Sequence, residues 1–309
     1  MPKLDKLDKQ IIYELAGNCR MSYHELAQKT GITANAVRKR IGKLEDSGVI
    51  DYYTIELTYT MIDAHSLLAW ILTDGTRDEE EFSNALGSSE YILDVTPHAG
   101  GYYAVFADYI TAEDMSRITR LIRAQKGVLN VEIHPLILYT SLAPPMSDSE
   151  LKKLHFRILK PLINDPKMPI NEIALAANLS SRTVRRALKE IMEHGGVRFT
   201  LKWNPEVSTG THFSALIKYD QSKSEHSRCT NWLMETFPVE LWEVFESTIE
   251  PMILAYFVVP AMGEVESITR AIRQADFVTA VVSHVATKTR SYDGLRRRIL
   301  LELIESSCL

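Results

Sequence analysis

The chain has 309 residues, a formal net charge of −5, 45% hydrophobic residues and 24% charged residues. That balance excludes a disordered chain, and the length accommodates two or more compact units. Mild acidity argues against a protein that coats nucleic acid indiscriminately, while leaving room for a small basic reading surface.

Leu4, Leu7, Ile11, Ile12 and Leu15 keep helical spacing. Ser22 stands three residues before Glu25, which predicts a capping box at the start of a second helix. Gly31 ends that helix, because glycine accepts a left-handed backbone at little cost. Thr33 caps the next helix, whose buried stripe is Val37, Ile41 and Leu44. Gly48 stops it, and residues 49–57 alternate as a strand. The order then becomes strand, helix, strand, strand, helix, strand, near 66–72, 78–86, 91–96, 102–108, 112–125 and 128–138. This is the ferredoxin-like βαββαβ motif. Residues 141–150 (SLAPPMSDSE), with Pro144–Pro145, read as a linker.

After the linker the chain begins again. Residues 21–50 (MSYHELAQKTGITANAVRKRIGKLEDSGVI) align without a gap on residues 168–197 (MPINEIALAANLSSRTVRRALKEIMEHGGV). Met21 falls on Met168, Glu25 on Glu172, Val37–Arg38 on Val184–Arg185, and Gly48 on Gly195. Leu7, Ile11, Ile12 and Leu15 fall on Leu154, Ile158, Leu159 and Leu162. Asn178 replaces Gly31 and also tolerates the left-handed turn. A second strand–helix pattern follows near 213–219, 225–236, 241–246, 252–258, 263–274 and 278–286. The tail 292–306 is an amphipathic helix with Leu295, Ile299, Leu303 and Ile304 apolar. The expected fold is α+β, with two winged helix-turn-helix domains alternating with two ferredoxin-like domains: 1–57, 58–142, 148–205 and 206–309.

The longest apolar runs, such as 252–259, fall far short of the roughly 20 residues of a membrane-spanning helix. MPKLDKLDKQ at the start has no apolar signal core. Cys19, Cys229 and Cys308 form no CxxC and no disulfide framework, which fits a reducing compartment. A cytoplasmic protein is expected.

The first helical part resembles the DNA-binding half of the Lrp/AsnC (feast/famine) transcription regulators. Leu7-Asp8, Ser22-Tyr23-xx-Leu26-Ala27 and Gly31-Ile32 carry the resemblance. It continues through Val37-xx-Arg40-Ile41-xx-Leu44-Glu45 and Gly48-Val49-Ile50. The βαββαβ part is similar to that family's effector and assembly (RAM-like) domain. Gly101-Tyr102 matches the start of its Gly-x-Tyr-Asp stretch, with Tyr103 where an acid is usual, and the second copy has Ile249-Glu250-Pro251 there. The resemblance implies local transcriptional regulation, often tuned by a small-molecule effector. It also implies pairing through the sheets, so that a fused tandem forms a pseudo-dimer within one chain and such pseudo-dimers assemble into homo-oligomers.

A helix-turn-helix places its second helix in the major groove, where base pairs show distinct donor and acceptor patterns. Asn35, Arg38, Arg182 and Arg185 are the candidate base readers. Lys39, Lys43, Arg186 and Lys189 are candidate phosphate contacts. Thr33, Ala34 and Ser181 belong to the same helix starts. Tyr23, Asn171, Tyr53 and Lys202 are candidate backbone contacts. Two non-identical reading helices predict an imperfect palindrome.

The histidines mostly read as surface residues, with His24, His155 and His194 on polar helix faces and His98 and His226 near element ends. His65 aligns with His212 and His134 with His284. First and last ferredoxin strands are neighbours, so each half has two histidines as candidates for a metal- or proton-responsive pair. Unrelated cross-strand histidines are the plainer reading, and no metal or cofactor is assigned. Trp70, Trp203, Trp232 and Trp242 read as core or interface residues. Arg296–Arg297–Arg298 read as a solvated or pairing patch rather than a phosphate site.

The competing enzyme reading is a sirohaem decarboxylase, a class built on the same domain pair. Its basic Arg-Arg-x-Gly stretch is missing, since the corresponding segments are Asp51-Tyr52-Tyr53-Thr54 and Arg198-Phe199-Thr200-Leu201. No GxSxG, P-loop, HExxH or GxGxxG occurs, and no catalytic residue is assigned. A third reading is a chromatin-like or sensing protein whose DNA binding lacks sequence preference.

Overall fold

The computed structural model of the chain describes residues 4–137, 151–204, 207 and 210–307. The expected linker at Pro144–Pro145 and Cys308 lie outside the described residues. The first copy runs α1 (Lys6–Gly17), α2 (Tyr23–Thr30), α3 (Ala34–Asp46), β1 (Ile50–Leu57), a short 3-10 turn (Tyr59–Met61) and β2 (His65–Thr73). It continues with α4 (Glu79–Gly87), β3 (Ile92–His98), β4 (Tyr102–Tyr109), α5 (Ala112–Arg123) and β5 (Val128–Pro135). The second runs α6 (Lys153–Leu162), α7 (Ile170–Ala176), α8 (Ser181–His194), β6 (Val197–Trp203), β7 (Thr211–Tyr219), α9 (His226–Thr236), β8 (Leu241–Glu246) and β9 (Met252–Val259). α10 (Met262–Arg273), β10 (Val278–Val285), β11 (Arg290–Ser291) and α11 (Gly294–Ser307) complete it. The two compact units of the fold are not the two sequence copies. One gathers the helical parts of both copies with α11, and the other gathers both ferredoxin-like parts. No helix among the described residues is long and apolar enough to cross a membrane.

In the helical unit, local chemistry sets the helix ends. Ser22 Oγ accepts from the Glu25 amide at 3.2 Å, and a Glu25 carboxylate oxygen accepts from the Ser22 amide at 2.8 Å. Gly31 sits at φ 71°, and Asn178 takes the corresponding left-handed position at φ 51°. Thr33 and Ser180 cap α3 and α8 by accepting from the amides of Ala36 and Thr183. Pro169 stands where Ser22 does in the first copy and gives α7 no side-chain cap. Ser22→Ala is therefore expected to cost about 1 kcal/mol in urea unfolding. An unchanged midpoint would contradict this role.

The two helical halves are joined by β1 and β6, which pair antiparallel in a two-stranded ribbon. Tyr53 pairs with Leu201 and Thr54 with Thr200. In the repeat, Tyr53 corresponds to Thr200 and Thr54 to Leu201. Exchanging the copies thus maps each pair onto the other, which is the self-complementary pairing of a two-fold interface made within one chain. α11 closes this core: Leu300 and Ile304 are buried with Ile55, Leu57, Ile158 and Ile191.

The other unit contains sheets in the orders β10-β7-β9-β8 and β11-β3-β4-β2-β5. Both hold the ferredoxin-like order. One face of the β11-β3-β4-β2-β5 sheet lies under α4 and α5, with Leu67, Ala69, Ile71 and Val105 against Phe82, Leu86, Ile118 and Ile122. Leu68, Trp70 and Ala104, on the opposite face, pack with Met252 and Leu254 of the second copy. Trp70 and Trp242 are buried, and Trp203 and Trp232 half-buried. β11 is too short to show alternation in the sequence. It adds to β3 through Arg290 and Ser291 and covers that strand's edge.

Candidate nucleic-acid interface

The stripe Val37, Ile41 and Leu44 turns α3 inward, and Val184, Ala187, Leu188 and Ile191 do the same for α8. The remaining faces point to solvent. Asn35, Arg38, Lys39 and Lys43 are exposed on α3, with Ala34 half-buried at its first turn. Ser181, Arg182, Arg185, Arg186 and Lys189 are exposed on α8. Thr33 is exposed but its hydroxyl serves as the helix cap. Tyr23 at the start of α2 and Asn171 in α7 are also exposed.

Arg186 lies 3.3 Å from Glu190, and Lys189 lies 3.6 Å from Glu193. These exposed pairs are weak and open readily. Arg38, Lys39, Lys43, Arg182 and Arg185 have no ion pair among the described residues. Each helix start adds unpaired backbone amides and the positive end of its dipole, both suited to phosphate. Long donors held at the open end of a capped helix can reach base edges.

Several basic or aromatic residues near these helices are structural instead. Arg40 donates to Asp8 at 2.7 Å and ties α3 to α1. Tyr53, expected at the nucleic-acid backbone, is half-buried: its hydroxyl donates to Glu45 at 2.6 Å and Lys167 lies 4.1 Å over its ring. Burial, then Glu45, raises its phenol above the ordinary range. Lys202 is half-buried, and its charge helps hold the Glu56 carboxyl ionised. The Tyr53 expectation is corrected, since its hydroxyl is held by Glu45 and its ring is covered by Lys167.

The solvated reading of Arg296–Arg297–Arg298 is also overturned, and the pairing alternative holds. Arg296 is 5% exposed and lies 2.9 Å from Glu56, itself 3.1 Å from Arg198. Arg297 donates to Thr54 Oγ1 at 2.8 Å and to the Ile55 and Ile163 carbonyls. Arg298 pairs with Glu302 at 3.6 Å. The available signal was Glu56, an acid inside an apolar strand, together with three arginines on an apolar helix.

In the first copy the histidine pair expected from sequence does not form. His65 lies opposite Tyr109 and His134 opposite Leu68, three residues along β2, so they occupy opposite faces of the sheet. His65 is exposed and His134 buried. In the second copy Thr211, not His212, holds the place of His65, and His284 lies opposite Ser214, so His212 and His284 share a face two residues apart along β7. Among the described residues no group of three or more His, Cys, Asp or Glu could hold a metal ion. His155 and His194 are not on polar faces but buried, and accept from the amides of Lys152 and Gly196.

His98, read from sequence only as an element end, is buried where the two sheets meet. Its Nδ1 donates to the Thr96 carbonyl at 3.0 Å, which leaves Nε2 to accept from Ser214 Oγ at 2.8 Å. Trp70 lies 5.0 Å from its ring, and His284 packs on Tyr102 at 4.3 Å. Burial, then His284, pushes His98 down to about 3. The unfolded chain therefore takes up a proton, from pH 6.5 downward, that the folded unit refuses. Stability should fall with pH across that window by about 1.4 kcal/mol per pH unit. His98→Gln should flatten the slope in acid-dependent urea unfolding, and an unchanged slope would contradict this.

The winged helix-turn-helix DNA-binding family matches residues 4–51 and 151–195. An uncharacterized HTH-type transcriptional regulator of Pyrococcus horikoshii is 30% identical over 137 residues, 44% of this chain and 92% of that protein. The HTH-type transcriptional regulator LrpA of the same organism is 29% identical over 143 residues, 45% of this chain and 99% of that protein. Less than half of this chain spans nearly the whole of each relative, as a tandem duplication requires. Over its whole length the chain is similar in fold to the crystal structure of the siroheme decarboxylase NirDL, with a TM-score of 0.59 at 14% identity, covering 98% of this chain and 99% of that one. Two matched DNA-binding segments and regulator relatives spanned almost end to end identify the chain as a member of the Lrp/AsnC family of DNA-binding transcription regulators, in tandem-duplicated form.

Proposed function

We propose that one chain acts as a pseudo-dimer and binds an imperfect palindrome in double-stranded DNA. Asn35, Arg38, Arg182 and Arg185 read bases. Lys39, Lys43, Arg186 and Lys189 hold phosphates, with Thr33, Ala34, Ser181, Tyr23 and Asn171 flanking them. The antiparallel register of β1 with β6 is the observation that carries this reading, because it mounts two capped basic helices about a two-fold relation inside one chain. The working division is 1–57 and 148–205 for reading, with 58–142 and 206–309 for assembly. The protein acts in the cytoplasm, regulates rather than catalyses, and associates further into homo-oligomers of pseudo-dimers.

A small-molecule effector belongs to the same proposal, but with changed chemistry. Tyr103 stands where the family's effector stretch has an acid, and it is buried against Phe82 at 4.5 Å. Selection of bound sequences from random DNA tests the main reading. Two related half-sites about one helical turn apart, or a multiple, are expected. Absence of any enriched motif would contradict it.

The whole-chain likeness to siroheme decarboxylase NirDL favours a second reading, a tetrapyrrole enzyme. One structure of that enzyme holds an iron-uroporphyrin III analogue. Titrating the purified chain with an iron porphyrin separates the two readings. A stoichiometric shift of the Soret band would favour the enzyme, and its absence the regulator.

A further inference from the structure

The two reading helices diverge at one outward position in a way that names different bases. Counting from the caps Thr33 and Ser180, the second residue is Asn35 in α3 and Arg182 in α8. Each lies two residues before a buried valine, Val37 or Val184, and so about 200° around the helix from it. Both side chains are exposed, and neither has a polar partner among the described residues. The next outward-flanking position is the same in both copies, Arg38 and Arg185.

A carboxamide offers one acceptor and one donor side by side, which matches N6 and N7 of adenine. A guanidinium offers two donors and no acceptor, which matches O6 and N7 of guanine and is repelled by the adenine amino group. The shorter reach of Asn35 is matched further along the same face. Gly42 stands where α8 carries Lys189, and a Cβ built on it would meet nothing within 4 Å. With no side chain there, the α3 backbone can sit closer to the groove floor.

We propose that the operator is asymmetric at one defined pair of positions, with adenine under Asn35 and guanine at the equivalent base of the other half-site under Arg182. The chain then has one preferred direction on its operator. This rests on the regulator reading above.

The test is selection from random DNA with the wild-type chain, Asn35→Arg and Arg182→Asn, followed by binding to the selected sites. The wild type should select adenine in one half-site and guanine in the other. Asn35→Arg should select guanine in both, and Arg182→Asn adenine in both. Each swapped base should change affinity about 5- to 150-fold. A wild-type motif with the same base at both positions, or variants that bind but keep the wild-type bases, would overturn this assignment while leaving the regulator reading intact. No enriched motif would overturn the regulator reading itself.

Discussion

Replacing Arg38 and Arg185 together by alanine is expected to weaken binding to the selected operator by about 2–6 kcal/mol, with about half lost in each single variant. Each arginine sits one turn into a capped helix, exposed and without an ion pair among the described residues. Its removal therefore leaves the fold intact, and the thermal midpoint should not move. The two helices belong to different copies, so the losses should add. Fluorescence anisotropy on operator and scrambled duplexes checks this. A base reader loses affinity mainly for the operator, whereas a phosphate contact loses it on both. Equal losses on the two duplexes would remove Arg38 and Arg185 from the base-reading set.

Arg296→Met is expected to destabilise the helical unit by about 3–5 kcal/mol, because it leaves Glu56 buried with only the weaker support of Arg198 and Lys202. Burial alone would raise the Glu56 carboxyl. Arg296 and then Arg198 outweigh it and pull the group down to about 2. Against an ordinary value near 4.3, that depression corresponds to about 3 kcal/mol at neutral pH, lost as the pH falls from about 4.5 through 2. The variant should also begin acid unfolding at a higher pH, since its Glu56 protonates more readily. Circular dichroism through urea and acid titrations checks both effects. A variant as stable as the wild type would mean that α11 is held by Leu300, Ile304 and the Arg297 hydrogen bonds without the Arg296–Glu56 pair.

What was legible in the sequence was local. Ser22 with Glu25, Gly31, Thr33 and Asn178 fix helix ends through bonds and dihedrals that span a few residues, and each was found where its chemistry placed it. The βαββαβ order was legible because apolar periodicity changes between strand and helix. The union of the two helical halves through β1 and β6 was not, because pairing partners that far apart leave no local trace.

The histidines show the cost of a single residue. The repeat aligned His65 with His212, but the strands place Thr211 in that position. A strand alternates faces at every residue, so one step of register exchanges the buried and exposed faces. That step buries His212 and exposes His65. The sequence left Arg296 between a solvated and a pairing role because its partner acid, Glu56, lies in the first copy and its own helix in the second.

The pseudo-dimer proposed for this protein requires a single chain to supply both reading helices of one palindrome. Stoichiometric titration of the selected full operator, read by native mass spectrometry, tests it most directly. One chain per pair of half-sites is expected at saturation, in simple complexes and in larger assemblies alike. Two chains per pair of half-sites would contradict the pseudo-dimer, whatever the sequence preference.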